Sequence, residues 1–173
     1  KTGRTAEERL QEQVAYQEKE LSRLRQAALR DPVTGGANMR CLSMAYDWME
    51  DGDPVSMLYV DIDGFRKVND AIGRDGGDAV LTAVHNEIER CLRWDDVVAR
   101  EGGDRFVAML PLAIEEDAQA VGERLRASIE KMVFKSSQGR FRLTVKVGCS
   151  TRQHRENLNP VITRADQAAR YGG

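Results

Sequence analysis

The chain has 173 residues, of which 41% are hydrophobic and 31% are charged. This length suits one globular domain with an appended segment, and the hydrophobic content suffices for a core. The net charge of −2 provides neither a broad basic surface for a nucleic acid polymer nor a polybasic membrane anchor. Because no apolar run approaches the length of a membrane span and no signal peptide opens the chain, we expect a cytoplasmic protein without direct membrane insertion of this fragment.

Two parts are predicted, a coiled-coil helix over residues 1–30 and a globular domain over residues 31–173. The boundary falls at Asp31, because the residue before a proline avoids helical geometry. The chain starts without methionine and stops abruptly at Gly173. We therefore expect a fragment of a longer protein, truncated at the C-terminal end of the domain.

The first predicted element is a helix over about residues 5–30, which contain no proline and are rich in helix-forming side chains. Positions separated alternately by four and three residues form the seam of a short coiled coil. They are Leu10, Val14, Gln17, Leu21, Leu24 and Ala28. Such a polar helix has little to stabilise it alone. It either pairs with a second copy or lies on its own domain, and the seam favours a homodimer.

A buried strand that ends in carboxylates follows. A helix over residues 39–49 leads to an apolar strand over residues 55–60, and this strand ends in Asp61-Ile62-Asp63. Carboxylates at such a place are costly unless they face solvent or bind a cation, and Mg²⁺ prefers one or two carboxylates with phosphate oxygens. The alternative is an ordinary strand-to-helix turn in which Asp63 caps the next helix.

The remaining elements alternate helices with pairs of strands. The predicted helices cover residues 79–92, residues 115–132 and residues from 159 onward. The predicted strands cover residues 97–99, residues 106–110 and two runs within 134–151 around a turn at 136–139. Residues 141–147 alternate clearly between polar and apolar. The glycine pair at 102–103 predicts a tight hairpin turn.

That turn carries a family resemblance. Residues 102–106 read Gly-Gly-Asp-Arg-Phe, which resembles the Gly-Gly-Asp/Glu-Glu-Phe signature of the GGDEF domain, the catalytic module of diguanylate cyclases. Two further runs resemble the family's entry and nucleotide-binding motifs, residues 31–40 and 61–78. The resemblance covers about residues 31–170. It implies an α/β (α+β) fold like the cyclase palm, with a central, mostly antiparallel sheet flanked by helices and preceded by the N-terminal coiled-coil helix.

By the same resemblance, the catalytic site is metal-dependent. In the family, two GTP molecules condense into cyclic di-GMP with loss of pyrophosphate, a phosphoryl transfer that relies on metal ions. Asp61, the carbonyl of Ile62 and Asp104 match Mg²⁺ ligands, and Asp104 and Arg105 match the catalytic pair. However, Arg105 replaces a Glu. Unit charges about 4 Å apart interact by about 4 kcal/mol at an effective dielectric of about 20. A positive arginine in place of a negative glutamate would therefore repel Mg²⁺ and remove it from the site. We expect Mg²⁺ only if the GTP site is functional.

Substrate binding is also implied by the resemblance. Asn69 and Asp78 would read the guanine of GTP, because a carboxylate accepts from the N1–H and N2–H₂ donors. Arg66 replaces a Lys near a phosphate, and Arg105 could contact a phosphate directly. Further departures from the family pattern stand at Gly36, Met39, Arg74, Glu101, Lys146 and Arg170.

The site at which the family binds its product, cyclic di-GMP, is better preserved in this chain than the catalytic turn. In the family an Arg-x-x-Asp often lies five residues before the signature turn, and Arg93 and Asp96 match it. An arginine fork fits guanine O6 and N7, while the carboxylate accepts from the donors that arginine cannot satisfy. Arg124 matches a secondary arginine on the following helix. The alternative is a surface ion pair between Arg93 and Asp96, which contributes little.

Three hypotheses remain. The first is a degenerate GGDEF domain, inactive or weakly active, that binds cyclic di-GMP through Arg93, Asp96 and Arg124. The second is an active diguanylate cyclase that uses GTP, Asp61 and Asp104. The third is a dimerisation scaffold without a ligand. We favour the first, because the product site is intact whereas the catalytic turn is altered.

Overall fold

The N-terminal helix begins with a complete capping box. In the computed structural model, which describes residues 5–137 and 139–171, helix α1 spans Ala6–Leu29. The Thr5 hydroxyl accepts from the Glu8 N–H, and the Glu8 carboxylate accepts from the Thr5 N–H, which satisfies two donors at the helix start. The predicted helix is confirmed. None of its described residues is buried, so α1 does not lie on its own domain.

The linker after α1 is held by side-chain hydrogen bonds. The Asp31 carboxylate accepts from two backbone N–H groups of the linker and from the Thr34 hydroxyl. The Asn38 side chain accepts from the Cys41 N–H at the start of the next helix, and its amide donates to two carbonyl oxygens at the end of α1. One asparagine therefore joins the ends of two helices.

Helices and strands alternate along the rest of the chain. The helices are α2 (Met39–Asp47), α3 (Phe65–Cys91), α4 (Glu115–Lys131) and α5 (Leu158–Tyr171). The strands are β1 (Ala37–Asn38), β2 (Val55–Ile62), β3 (Val97–Gly102), β4 (Arg105–Pro111), β5 (Phe134–Ser136), β6 (Gly139–Phe141) and β7 (Val145–Thr151). Residues 1–4 and 172–173 of the two predicted parts, and Gln138 of the predicted turn at 136–139, lie outside the described residues.

A five-stranded sheet forms the centre of the domain, with the strand order β1-β3-β4-β2-β7. The short strand β1 pairs with β3 in parallel, and the other neighbours in this order pair antiparallel. Alternate residues of β2 point to opposite faces. Leu58 and Val60 join a core with α3 and α4, whereas Met57 and Tyr59 join a second core with α2 and α5. The predicted antiparallel sheet between helices is confirmed.

Two details differ from the sequence-based expectation. Helix α3 contains a kink at Gly73, whose φ of 75° and ψ of 173° are not helical, so the predicted helix over 79–92 is its second half. The alternation over 141–147 is not one strand, because β6 ends at Phe141 and β7 begins at Val145. Thr144 lies between these two strands. Its carbonyl accepts a hydrogen bond from the Asp63 N–H, and its hydroxyl donates one to the Asp63 carboxylate. These bonds draw the segment toward the end of β2.

Within the described part of the chain, no helix combines the length and the apolar character that a membrane crossing requires.

Candidate functional site

The hairpin between β3 and β4 presents the signature turn. Gly102 and Gly103 have φ values of 145° and 59°, a backbone region that glycine adopts without strain. The register shifts between Arg100 and Gly102, and this bulge precedes the turn. The predicted hairpin is confirmed, with Asp104 at its tip and Arg105 as the first residue of β4.

Arg100 connects this turn to the linker after α1. Its Nη1 donates to both carboxylate oxygens of Asp31, at 3.3 and 3.2 Å, while Nε and Nη2 donate to the Gly103 carbonyl at 3.0 and 2.8 Å. Burial by itself raises the pKa of Asp31, but the hydrogen bonds from Thr34 and the charge of Arg100 outweigh it and hold that pKa below its usual value. Arg100 thus fixes the linker to the signature turn, through a largely buried ion pair with Asp31 and two hydrogen bonds to the Gly103 carbonyl.

A cleft of about 350 Å³ lies between α3 and the signature turn. The predicted substrate residues Asn69, Asp78 and Arg66 line it together with Asp104. The structure therefore brings these four predicted residues to one site. Their roles toward a nucleotide remain predictions. The side chains of Asn69, Asp78 and Arg66 make no hydrogen bond or ion pair with the residues that the structure describes.

Gly77, to which the sequence analysis gave no role, packs against two residues that line this cleft, Asn69 and Phe65. A Cβ at Gly77 would lie 1.8 Å from Asn69 Oδ1 and 3.3 Å from the Phe65 ring. Any side chain there would displace the Asn69 amide from the cleft. The signal available in the sequence was a pair of glycines, Gly76 and Gly77, inside a helical pattern, where glycine is unfavourable unless packing requires it.

Asp61 lies at the end of β2 between two cationic residues. It pairs in register with Arg105 on β4 and with Lys146 on β7, so all three side chains start from one face of the sheet. Burial, and then the nearby carboxylates of Asp104 and Asp63, raise the pKa of Asp61. The Ile62 N–H donates to the Asp104 carbonyl at 3.2 Å, so the predicted metal ligands Asp61, Ile62 and Asp104 are adjacent.

The fit of these residues to Mg²⁺ is poor. Magnesium is held by carboxylates, carbonyls and phosphate oxygens, but the Asp61 carboxylate is flanked by Arg105 and Lys146. The described residues contain no group of three or more acidic, histidine or cysteine side chains placed to hold a metal ion.

The alternative role of Asp63, as the cap of the helix after β2, is wrong. The residue that caps α3 is Gly64, without a side-chain hydrogen bond, and the Asp63 carboxylate accepts from Thr144 at 2.7 Å.

Only the Nε of the Arg105 guanidinium contacts other described residues. Its Nε lies 3.3 Å from Glu101 Oε2, and its side chain is 43% exposed. Glu101 also accepts from the Tyr59 hydroxyl at 2.7 Å, and burial together with this carboxylate raises the pKa of Tyr59. Glu101 thus holds the stem of Arg105, whereas the two Nη groups make no hydrogen bond with a described residue.

A second cluster lies at the end of α3 and contains Arg93, Asp96 and Arg124. The Asp96 carboxylate accepts from the Arg93 backbone N–H at 2.7 Å, and Arg124 Nη2 donates to the Cys91 carbonyl at 2.7 Å. Burial raises the pKa of Asp96, against the lowering charges of Arg93 and Arg124. The structure brings the three predicted residues together.

The Arg93 guanidinium is not in a surface ion pair with Asp96. No salt bridge joins these two side chains within the described residues, and the guanidinium makes no hydrogen bond to another described residue. Trp94 beside it is 97% exposed. The cluster therefore offers an unpaired cation, a carboxylate already oriented by the backbone, and an exposed aromatic ring.

Gly36 and His85 make a close contact between the linker and α3. The His85 side chain is 2% exposed, and its ring stacks on Phe106 with centroids 6.2 Å apart. A Cβ at Gly36 would lie 2.0 Å from His85 Nε2. The buried Nδ1 has no hydrogen-bond partner among the described residues. Burial outweighs the opposing charge of Glu89 and lowers the pKa of His85. The missing side chain at position 36 thus makes room for the imidazole.

The comparisons with known proteins agree with this geometry. The family described as "Diguanylate cyclase, GGDEF domain" matches residues 28–171. The chain belongs to the GGDEF domain family. Diguanylate cyclases of this family generally use Mg²⁺. The family prediction made from residues 102–106 and 61–78 is confirmed.

Curated relatives of this GGDEF domain include two diguanylate cyclases. Diguanylate cyclase DgcP of Pseudomonas aeruginosa is 34% identical over 149 residues, which cover 83% of this chain and 22% of the relative. Diguanylate cyclase DgcM of Escherichia coli K12 is 32% identical over 176 residues, covering 95% of this chain and 38% of the relative. The chain thus spans less than half the length of these relatives.

Solved structures show the same fold. The coiled coil and GGDEF domain of DgcB from Caulobacter crescentus, in complex with c-di-GMP, has a TM-score of 0.83 and 28% identity, covering 98% of this chain and 96% of that chain. Diguanylate cyclase SiaD from Pseudomonas aeruginosa, in complex with its activator SiaC, has a TM-score of 0.78 and 30% identity, covering 95% of this chain and 67% of that chain.

Proposed function

We propose that this GGDEF domain is a cytoplasmic receptor for cyclic di-GMP that has lost efficient condensation of GTP. Family membership and the diguanylate cyclase relatives support a role in cyclic di-GMP signalling. The observation that carries the receptor role is the cluster of Arg93, Asp96 and Arg124. The Arg93 guanidinium has no hydrogen-bond or salt-bridge partner among the described residues, and the Asp96 carboxylate is oriented by a backbone hydrogen bond.

This cluster suits a guanine base. Arg93 can donate to guanine O6 and N7 in a bidentate manner, and Asp96 can accept from N1–H and N2–H₂ through the lone pairs not used by the Arg93 backbone. Arg124, anchored on the Cys91 carbonyl, retains further donors for a phosphate or for the second base of the dinucleotide.

Loss of turnover follows from the charges around Asp61. Arg105 and Lys146 lie in register with Asp61 on both neighbouring strands, and their repulsion of a dication opposes the metal-dependent chemistry of the family. We regard this domain as degenerate for that reason. Mg²⁺ would bind only in a functional GTP site.

Pairing of α1 would transmit ligand binding. Its seam residues Leu10, Leu21 and Leu24 are 63%, 48% and 57% exposed, and apolar side chains at this spacing are buried when two helices pair. Cyclic di-GMP has two guanine bases. One dinucleotide can therefore contact Arg93 and Asp96 of one copy and Arg124 of a second copy in the homodimer, which would fix the relative position of the two helices.

An active cyclase is the second candidate, because Asn69, Asp78, Arg66 and Asp104 all line one cleft. A scaffold without a ligand is the third, because α1 exposes an apolar seam. Mg²⁺-dependent release of pyrophosphate from GTP distinguishes the second candidate, and the absence of any nucleotide binding distinguishes the third.

The test is calorimetric titration of cyclic di-GMP into the wild type and into Arg93→Ala. Loss of a bidentate guanine contact costs about 1–3 kcal/mol, so we expect affinity to fall by roughly fivefold to more than a hundredfold. The control is Arg140→Ala, which removes an exposed arginine on the β5–β6 hairpin. Equal affinity in Arg93→Ala and the wild type would overturn the site assignment.

A further inference from the structure

The hairpin of β5 and β6 carries two like charges directly opposite each other. Lys135 pairs in register with Arg140, and opposed residues of antiparallel strands project from the same face. Both residues are exposed, and neither side chain makes a hydrogen bond or an ion pair with a described residue. Like charges at directly opposed positions destabilise a strand pair. An anionic group placed between these two cations would remove that cost.

The hairpin belongs to a segment of the chain that is basic throughout. Residues 131–155 contain seven lysines and arginines and no aspartate or glutamate, so all 28 acidic residues lie outside this segment. The cations in or next to the hairpin are exposed and have no hydrogen bond or ion pair with a described residue. They are Lys131, Lys135, Arg140 and Arg142. A surface without counter-charges of its own attracts a partner of negative charge.

Two clefts flank the hairpin where it meets α3, and Ile72 and Ser136 line both. The first, of about 440 Å³, lies beside β5 and has Lys135 among its lining residues. The second, of about 300 Å³, lies beside β6 and is lined by Lys67 and Arg140. Among the described residues, no acidic side chain lines either cleft. The other lining residues include apolar ones, Ala79, Val80 and Phe134 in the first cleft and Val68, Ala71 and Phe141 in the second.

This combination fits a peptide better than a nucleic acid or a membrane. Phe134 and Phe141 stack on each other with ring centroids 5.5 Å apart and are partly buried, so they are poorly placed to stack on a nucleobase. The apolar residues line concave clefts, whereas insertion into a bilayer needs apolar side chains that protrude. In the part of the chain that the structure describes, β5 and β6 pair only with each other, and their outer edges can bond to an extended backbone.

We propose that the β5–β6 hairpin is a docking site for an extended acidic segment of a partner protein. Carboxylates of the segment contact Lys135 and Arg140, and its large apolar side chains enter the two clefts beside Ile72. The two clefts share no lining residue with the cleft at the signature turn. The interaction therefore requires neither GTP nor cyclic di-GMP.

The experiment measures the fluorescence anisotropy of a labelled peptide, Glu-Asp-Leu-Glu-Phe-Asp-Glu, titrated with the 173-residue chain. We expect a peptide with serine at both apolar positions to bind at least about tenfold more weakly, because it buries no large apolar side chain. The double variant Lys135→Glu with Arg140→Glu should also weaken binding of the first peptide at least about tenfold, since it replaces attraction by repulsion. The matched control, Lys19→Glu with Arg25→Glu, changes the net charge equally on exposed positions of α1 and should bind like the wild type.

A second variant tests the clefts without changing any charge. Ala79 is exposed and lines the first cleft, so Ala79→Trp should fill that cleft and weaken peptide binding. Urea denaturation of each variant shows whether it is folded.

The inference would be overturned by any of three results with folded protein. They are no binding of the first peptide to the wild type, equal affinity of the hairpin double variant and the wild type, and equal affinity of the two peptides. Oligouridylate and phosphatidylserine vesicles are titrated in parallel. Tighter binding of either one than of the peptide, lost in the hairpin double variant, would assign this surface to a nucleic acid or a membrane instead.

Discussion

The contact between Gly36 and His85 predicts that a leucine at position 36 is destabilising. The backbone of Gly36 is not in the positive-φ region, so any cost arises from side-chain crowding alone. A Cβ there would lie 2.0 Å from Nε2 and 2.1 Å from Cε1 of His85, far inside the roughly 3.5 Å of an ordinary contact. The imidazole is buried against Phe106, so it cannot move aside without losing that packing.

The expected cost is about 3 kcal/mol, at the upper end of the range typical for overpacked cores. His85→Ala alone should also destabilise the protein, by about 2–3 kcal/mol, because it leaves a cavity under the linker. In the double variant Gly36→Leu with His85→Ala, the leucine occupies the space of the imidazole. Its cost should be smaller than the sum of the single costs by about 2 kcal/mol, a coupling energy within the range for residues in contact.

Urea denaturation of the wild type, the single variants and the double variant measures these free energies of unfolding. The matched control is Gly35→Leu. Gly35 has a φ of 73° and nothing within 4 Å of an added Cβ, so leucine is strained there by the backbone. His85→Ala should give no rescue of Gly35→Leu. Additive costs for Gly36→Leu and His85→Ala would refute the packing argument.

Three further predictions concern pH, the cleft and the product site. Because the pKa of His85 is lowered in the folded protein, the unfolded chain binds a proton at His85 more readily than the folded chain. The free energy of unfolding should therefore be highest above about pH 6.5 and should fall as pH drops below that value. In urea denaturation, His85→Leu should reduce this loss of stability. Gly77→Ala should weaken GTP binding measured by calorimetry but preserve cyclic di-GMP binding, because the added methyl group would lie 1.8 Å from Asn69 Oδ1 and would force that amide to move. In a Trp48→Phe background, cyclic di-GMP should change the fluorescence of Trp94, which is 97% exposed and can stack on a base.

Each of these three has a contradicting result. An identical pH profile in the wild type and His85→Leu would show that the histidine is not the group that titrates. Normal GTP affinity in Gly77→Ala would show that the Asn69 amide does not read the base. Unchanged Trp94 emission on saturation with cyclic di-GMP, measured by calorimetry on the same sample, would place the ligand away from that ring.

Local patterns in the sequence predicted most of the elements. The heptad spacing of α1, the glycine turn between β3 and β4, and the apolar run of β2 each depend on neighbours in the chain, so their positions were accessible. The alternation over residues 141–147 is a local pattern that predicts a strand, whereas the hydrogen bonds that hold Thr144 against Asp63 join residues far apart in the chain. The Asp63 cap was wrong for the same reason.

The sequence predicted which residues form the site but not the arrangement of charges around Asp61. Asn69, Asp78 and Asp104 were assigned from motif resemblance, and the fold brings them to one cleft. The flanking of Asp61 by Arg105 and Lys146 depends on strand register, which no single segment reveals. The fit between Gly36 and His85 is likewise a contact between the linker and the middle of a distant helix.

The most direct test of the account is calorimetric titration of cyclic di-GMP into the wild type and Arg93→Ala, with pyrophosphate release from GTP and Mg²⁺ measured on the same wild-type preparation. The account predicts cyclic di-GMP binding that weakens in Arg93→Ala, together with no detectable release of pyrophosphate. Sustained pyrophosphate release would contradict the assigned effect of Arg105 and Lys146, and equal binding by both proteins would contradict the receptor site.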